Sequence, residues 1–160
     1  MMQNMLDHPN IHYLLNTDFK AIVHDISFDK LFYSCSIDEY FNYRFGKLPY
    51  RCVSFKLEEY DMEFYQPVAV VNYPNDYCYT RITEYKHFLN HTSKKTVIAK
   101  EFSSDEGDPS YPIPIKENIE LYRKYVNCTG SEDVTFIGRL GQYQYYSMDQ
   151  TVKNILSLDL

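Results

Sequence analysis

Arg81 lies inside a tyrosine-rich row, "YTRITEYKHF" at 79–88, and its chemistry is the easiest in the chain to state. A guanidinium presents a planar fork of donors that matches phosphate or carboxylate oxygens two at a time. Read as a strand, the row puts Tyr79, Arg81, Thr83, Tyr85 and His87 on one face and Thr80, Ile82, Glu84, Lys86 and Phe88 on the other. The first face reads as a recognition surface. The plainer alternative is a solvated arginine paired with Glu84 or Asp76.

A second candidate is the stretch "FIGRLGQYQYYSMDQ" at 136–150. A strand, a turn punctuated by Gly138 and Gly141, and a helix start capped by Ser147 with Gln150 three residues on would present backbone N–H groups to an anion or an electron-rich carbonyl. Arg139 follows the first glycine, and Tyr143 and Tyr145 would point the same way if extended. The same pattern also serves a turn that binds nothing. Glu101, at a strand end beside a proline-rich loop, is either an acid–base group or ordinary surface. His87 and His91 fall across a strand end and cannot form a helical metal pair. Cys35, Cys52, Cys78 and Cys128 make no CxxC pair, so the sequence predicts four buried thiols, no metal site and no disulfide framework. There is no HExxH and no nucleophile–base–orienter trio that would mark a hydrolase.

These residues need a scaffold of modest size. With 160 residues, 44% hydrophobic and 24% charged, the chain has the composition of one folded domain. Tyrosine is the outlier, at 17 residues with no tryptophan. Its flat body and hydroxyl tip suit stacking on rings and bonding to phosphates or sugars, and equally suit half-buried strands. A net charge of −6 without a basic block argues against nucleic-acid binding. No apolar run approaches a membrane span and the start is not a signal peptide, so the expected location is cytoplasmic and off the membrane.

Patterning predicts short strands in "NIHYLLNTDF" and "FDKLFYSCSI" and a helical turn ending at Gly46. A consecutive four-strand antiparallel meander is expected from "YRCVSFKLEEY", "QPVAVVNYP", "CYTRITEYKHF" and "KKTVIAKEFS". "SDEGDPSYPIPI" should be irregular, "KENIELYRKYVNCTG" a helix with Ile119, Tyr122 and Val126 at helical spacing, "DVTFIGRLG" a buried strand and turn, and "SMDQTVKNILSLDL" a capped helix. The expected fold class is α+β.

"IDEYFNYRFGKLPYR", "QPVAVVNYP", "YTRITEYKHF", "GDPSYPIP", "LYRKY" and "FIGRLGQYQYYSMDQ", in this order, resemble the C-terminal half of UDP-galactopyranose mutase, over about Met1 to Leu156. The resemblance implies a flavin-dependent isomerase that interconverts UDP-galactopyranose and UDP-galactofuranose through a sugar adduct on N5 of reduced FAD, supplying galactofuranose for polysaccharide biosynthesis. It implies that Arg81 holds the substrate diphosphate, with Tyr145 and Tyr111, that Glu101 lies near the substrate, and that Arg81 and Glu101 serve catalysis. Gly138, Arg139, Tyr145, Met148 and Asp149 are implied to approach the flavin. Ser147, Ser110 and Phe102 depart from the residues common in the family.

By that resemblance, 1–49 is the last piece of an FAD-binding layer, 50–104 the antiparallel substrate sheet, and 105–160 a loop–helix–strand–helix β/α remnant returning to the flavin layer. The five glycines cannot make the GxGxxG turn of a dinucleotide site. The expectation is therefore a C-terminal portion that does not retain FAD, is inactive alone and tends to self-associate. It would complement an N-terminal half. A sugar-nucleotide or glycan-binding module without catalysis, or one half of a split enzyme, are the alternatives.

Overall fold

The computed structural model describes residues 2–89, 91–130 and 133–158. The chain divides into two compact units, Met1–Leu31 and Phe32–Leu160. The first carries two short helices, α1 (Met2–Leu6) and α2 (Phe19–Ile22), the latter capped by Asp18, which accepts from the Lys20 N–H at 2.9 Å. "NIHYLLNTDF" is not a strand: its residues pair with no other strand, and Tyr13, Leu14 and Leu15 are exposed. Apolar patterning becomes a strand only where a neighbour takes up its backbone hydrogen bonds.

The chain continues through β1 (Leu31–Tyr33), α3 (Ile37–Tyr40), β2 (Tyr50–Tyr60), β3 (Val70–Asn72), β4 (Arg81–Glu84), α4 (Lys86–Leu89), β5 (Thr96–Ser104), β6 (Pro109–Pro112), α5 (Lys116–Val126), β7 (Val134–Phe136), α6 (Gly138–Gly141) and α7 (Met148–Leu156). The fold is α+β. β1 and β7 form a small two-stranded sheet, and the main sheet has the antiparallel order β3-β4-β5-β2-β6.

This order corrects the expected meander, because β2 lies beside β5 and not beside β3. The cause is in residues 61–69. The buried Glu84 carboxylate accepts from the Tyr65 and Gln66 N–H groups, both at 3.0 Å, and this ties the connection to β4, so that β3 enters on the far edge. The proline-rich loop is also more regular than expected. Pro109 and Pro112 lie on the edge strand β6, where a missing N–H breaks no ladder, and Ser110 is bulged out between Arg51–Tyr111 and Cys52–Pro109.

The row 79–88 is a strand only over 81–84. Lys86 then turns inward, its Nζ donating to the carbonyls of Glu63, Ser93 and Lys95, and α4 begins. Tyr79 and His87 therefore leave the Arg81 face. The Tyr79 ring lies 5.6 Å from the Lys100 Nζ, and Lys100 is the register partner of Ile82, on the opposite face. His87 turns to the buried Glu84, at 3.2 Å.

Much of the tyrosine excess goes into the core. Ile37, Leu48, Tyr50, Tyr125 and Tyr143 form it, with Phe41, Leu121, Tyr122, Phe136 and Leu140 packed against them. Each core hydroxyl fastens a loop. Tyr125 donates to the Gly46 carbonyl at 2.7 Å and accepts from the Phe45 N–H, and Tyr143 donates to the Pro49 carbonyl at 2.6 Å. Tyr50 donates to Asp38, whose other oxygen accepts from the Leu48 N–H. Burial, with Asp38 beside it, pushes the Tyr50 pKa far up, so this hydroxyl remains a donor. α5 is the expected helix, but its buried face runs through Asn118 and Tyr125 while Val126 is exposed. The thiols also depart from expectation: Cys52 is buried, Cys128 half-buried, and Cys35 and Cys78 exposed. Among the described residues no helix is long and apolar enough to cross a membrane, and no cluster of metal-ligating side chains exists.

Candidate functional site

Register partners in an antiparallel sheet share a face. Asn72, Arg81, Glu101 and Phe55 are partners across β3, β4, β5 and β2, and Arg51 and Tyr111 are partners across β2 and β6. Arg51 and Phe55 lie four apart on one strand, so one face of the sheet carries all six.

The predicted residues fall into two groups on or beside this face. In the first, Arg81 Nη1 lies 3.7 Å from Glu101 Oε2, and Arg81 Nε donates to Asn72 Oδ1 at 3.0 Å. Thr80 Oγ1 donates to Glu101 Oε1 at 2.8 Å. The arginine is thus paired with Glu101, and not with Glu84 or Asp76. Asn72 and Thr80 are orienting residues that the sequence reading did not single out. Their signal was present, since a hairpin closing through "YPNDYCY" sets Asn72 opposite Arg81.

The second group gathers around Tyr111. The Tyr145 ring stacks on it with centroids 5.3 Å apart and planes inclined by 23°. The Arg139 guanidinium lies 4.9 Å from the Tyr111 ring centre while its Nε donates to the Tyr146 carbonyl. Gly138 makes this placement possible, because its φ of +72° is a left-handed conformation that starts α6 immediately after β7. Tyr143 and Tyr145 do not point the same way. Tyr143 has a φ of 49° and is buried in the core, whereas Tyr145 is 66% exposed.

Met148 and Asp149 open α7 as expected. The capping box forms, with Gln150 Oε1 accepting from the Ser147 N–H at 2.9 Å. The Ser147 hydroxyl donates to the Asp149 carboxylate and, with the Asp149 and Gln150 amides, holds its pKa below the usual carboxylate value. Side chains of this turn therefore already engage the Ser147, Asp149 and Gln150 amides. Among the described residues there is also no strand, glycine-rich turn and helix in the order that receives a dinucleotide pyrophosphate. The residues described do not by themselves fit FAD.

By strand spacing, about 13 Å along β2 and three strands across separate Arg81 from Tyr111, roughly 19 Å between backbones. A single small anion cannot touch both groups, whereas an elongated ligand can. The sheet thus presents two separated groups on one open face, a guanidinium and a stacked tyrosine pair backed by a second guanidinium, a spacing that a long, partly anionic, ring-bearing ligand can bridge.

Comparison with known proteins gives this arrangement a family. The UDP-galactopyranose mutase family model matches residues 1–145. A probable UDP-galactopyranose mutase of Klebsiella pneumoniae is 37% identical over 98% of this chain and 42% of its own length. A dTDP-fucopyranose mutase of Escherichia coli is 34% identical over 98% of this chain and 44% of its own. A UDP-galactopyranose mutase of Mycoplasma genitalium is 31% identical over 92% and 41%. The chain belongs to the UDP-galactopyranose mutase family, a family of flavin-dependent isomerases. It spans less than half the length of the curated relatives it matches.

Proposed function

We propose that this chain is the substrate-sheet portion of a mutase that interconverts the pyranose and furanose forms of a nucleotide-linked sugar, UDP-galactose in the first instance. The observation that carries the reading is the pair of groups on one face: a guanidinium held in place at Arg81, and a Tyr111–Tyr145 stack backed by Arg139. Arg81 would grip the diphosphate bidentately, oriented by Asn72. Glu101, braced by Thr80, would lie against the sugar and offset the arginine's charge when the site is empty. Tyr111 and Tyr145 would supply hydroxyls to the diphosphate, and Arg139 would keep the two rings parallel.

The division into 1–49, 50–104 and 105–160 belongs to this reading, as do an N-terminal half in a full-length mutase, a cytoplasmic setting and a role in polysaccharide biosynthesis. The family cofactor, reduced FAD, finds no complete site in the residues described, so no chemical step is assigned to this chain alone. On this proposal the isolated chain binds the sugar nucleotide without turning it over.

The test is titration of the purified chain with UDP-galactose and with dTDP-fucose, followed by amide chemical shifts. Shifts at Arg81, Tyr111 and Tyr145 that vanish in Arg81→Ala are expected, and the tighter of the two ligands identifies the sugar nucleotide. Absence of shifts at millimolar ligand, or turnover of UDP-galactofuranose by the chain alone, would overturn the reading.

A further inference from the structure

The face of the sheet turned away from Arg81 carries an aromatic cluster with no part in those two groups. Register places Lys56, Glu58, Lys100 and Ile82 on that face. Tyr73, Tyr77 and Tyr79 stand 5.0 to 5.1 Å apart centroid to centroid, and Tyr60 and Tyr65 stand 4.8 Å apart. The Glu58–Lys100 ion pair, at 2.8 Å, joins the two sets: Tyr60 donates to Glu58 at 2.7 Å, and Lys100 lies over Tyr79.

Three properties narrow what this cluster can hold. Tyr77 stacks on Tyr79 with planes inclined by only 24° and remains 57% exposed, so a flat ring is open to solvent. Among the described residues, the hydroxyls of Tyr65, Tyr73, Tyr77 and Tyr79 bond to no other group of the protein and are free to donate or accept. Lys56 and Lys100 both hold the Glu58 carboxylate, at 3.0 and 2.8 Å, so neither lysine here is without a carboxylate partner for a phosphate to take. Lys100 first, then Tyr60 and Lys56, keep Glu58 ionised down to about pH 2, and the arrangement persists over the physiological range. An exposed ring flanked by free hydroxyls and internally matched charges fits the C–H face and hydroxyls of a neutral sugar.

We propose that this outer platform binds a neutral hexose unit of an oligosaccharide, stacked on Tyr77. The proposal does not rest on the mutase reading, since it uses the opposite face and requires neither nucleotide nor flavin. In a protein that handles sugar nucleotides, such a platform would hold the chain next to a glycan.

The experiment is saturation-transfer NMR on the full 160-residue chain with β-1,4-galactotriose as the probe, without nucleotide. Transfer to the sugar C–H protons is expected. Tyr77→Ala should weaken it about fivefold to tenfold, the value of one aromatic stacking contact, while Tyr77→Phe keeps most of it. Tyr65→Ala, at the other end of the cluster, provides a second reading if Tyr77→Ala does not fold. UDP-galactose binding should be unchanged in both alanine variants, which separates this platform from the Arg81 site. No transfer, transfer unchanged in Tyr77→Ala (or, where that variant does not fold, in Tyr65→Ala), or displacement of the sugar by pyrophosphate each overturns the proposal. So does self-association through Tyr77 without sugar binding.

Discussion

Arg81 and Glu101 face each other across β4 and β5, with the guanidinium Nη1 3.7 Å from Oε2, and each is held by a further neighbour, Asn72 and Thr80 respectively. The Arg81 side chain is 46% exposed, so the pair adds little to stability, typically less than about 1 kcal/mol. It matters more for ligand binding. A diphosphate arriving at Arg81 must compete with a carboxylate already there. Glu101→Gln should therefore bind UDP more tightly than the parent chain, and Arg81→Ala at least about tenfold more weakly, with unfolding midpoints nearly unchanged. Calorimetric titration with UDP decides it, and weaker binding by Glu101→Gln would show that the carboxylate helps to hold the ligand.

Glu84 makes the stability of this chain depend on pH. Burial alone would raise its pKa, but the Thr96 hydroxyl and the Tyr65 and Gln66 amides, with His87 adding to them, together outweigh burial and lower it. A carboxyl that is depressed in the folded state contributes stability in full above its unfolded value of 4.5, and that contribution is lost as pH falls through the lower folded value. Urea midpoints should be flat above about pH 5 on this account and fall below it. Glu84→Gln should make the fall shallower, leaving the part that Glu58 and Asp149 contribute, and cost about 1.5–3 kcal/mol at neutral pH, since it replaces a charged acceptor. An acid limb of undiminished steepness in that variant would assign it to other carboxyls.

Tyr125 is fully buried, and its hydroxyl joins α5 to the turn after α3 through Gly46 and Phe45. Tyr125→Phe keeps the ring contacts with Phe41 and Phe45 and leaves the part-buried Gly46 carbonyl and Phe45 N–H without that partner. The expected loss is about 1–3 kcal/mol, a fall of several degrees in melting temperature for a chain of this size. A loss below a few tenths would mean that water replaces the hydroxyl.

Most of this was readable in the sequence where local chemistry decided it. The eleven residues of β2, the capping box at Ser147 and Gln150, and the helix from Lys116 follow from period and caps. Neither the pairing order nor the direction of Tyr79 could be read this way, because both depend on Glu84 and Lys86 turning inward to collect amides and carbonyls far along the chain. A glutamate and a lysine read as surface in any local pattern. The same limit applies to the site. Arg81, Tyr111, Tyr145 and Arg139 were visible as residue types, but the partners of Arg81 follow from register, and the burial of Tyr143 follows from its left-handed backbone.

Incubated with excess FAD and then gel-filtered, the chain should elute without the visible absorbance of flavin. Side chains already engage the Ser147, Asp149 and Gln150 amides at the start of α7, and the residues described offer no GxGxxG turn for the pyrophosphate. Stoichiometric flavin in the protein peak would mean that the chain builds a pocket unaided, and reducing-condition assays would then test turnover.

Two glycines three residues apart are needed for different reasons, and alanine substitution should separate them. At Gly141 a Cβ would stand 2.8 Å from the Tyr33 carbonyl oxygen and 3.4 Å from the Phe136 Cβ. The first contact is with backbone and cannot rotate away, so α6 must shift from β1, an overpacking cost of about 1–3 kcal/mol. At Gly138 a Cβ meets nothing within 4 Å, and only the φ of +72° opposes it, a penalty of about 1 kcal/mol. Gly141→Ala should therefore be the more destabilising in urea. It should also weaken UDP binding, because α6 carries Arg139 against Tyr111. If Gly138→Ala costs more, or if Gly141→Ala leaves binding intact, then the contact between α6 and β1 does not hold the Arg139–Tyr111–Tyr145 stack in place.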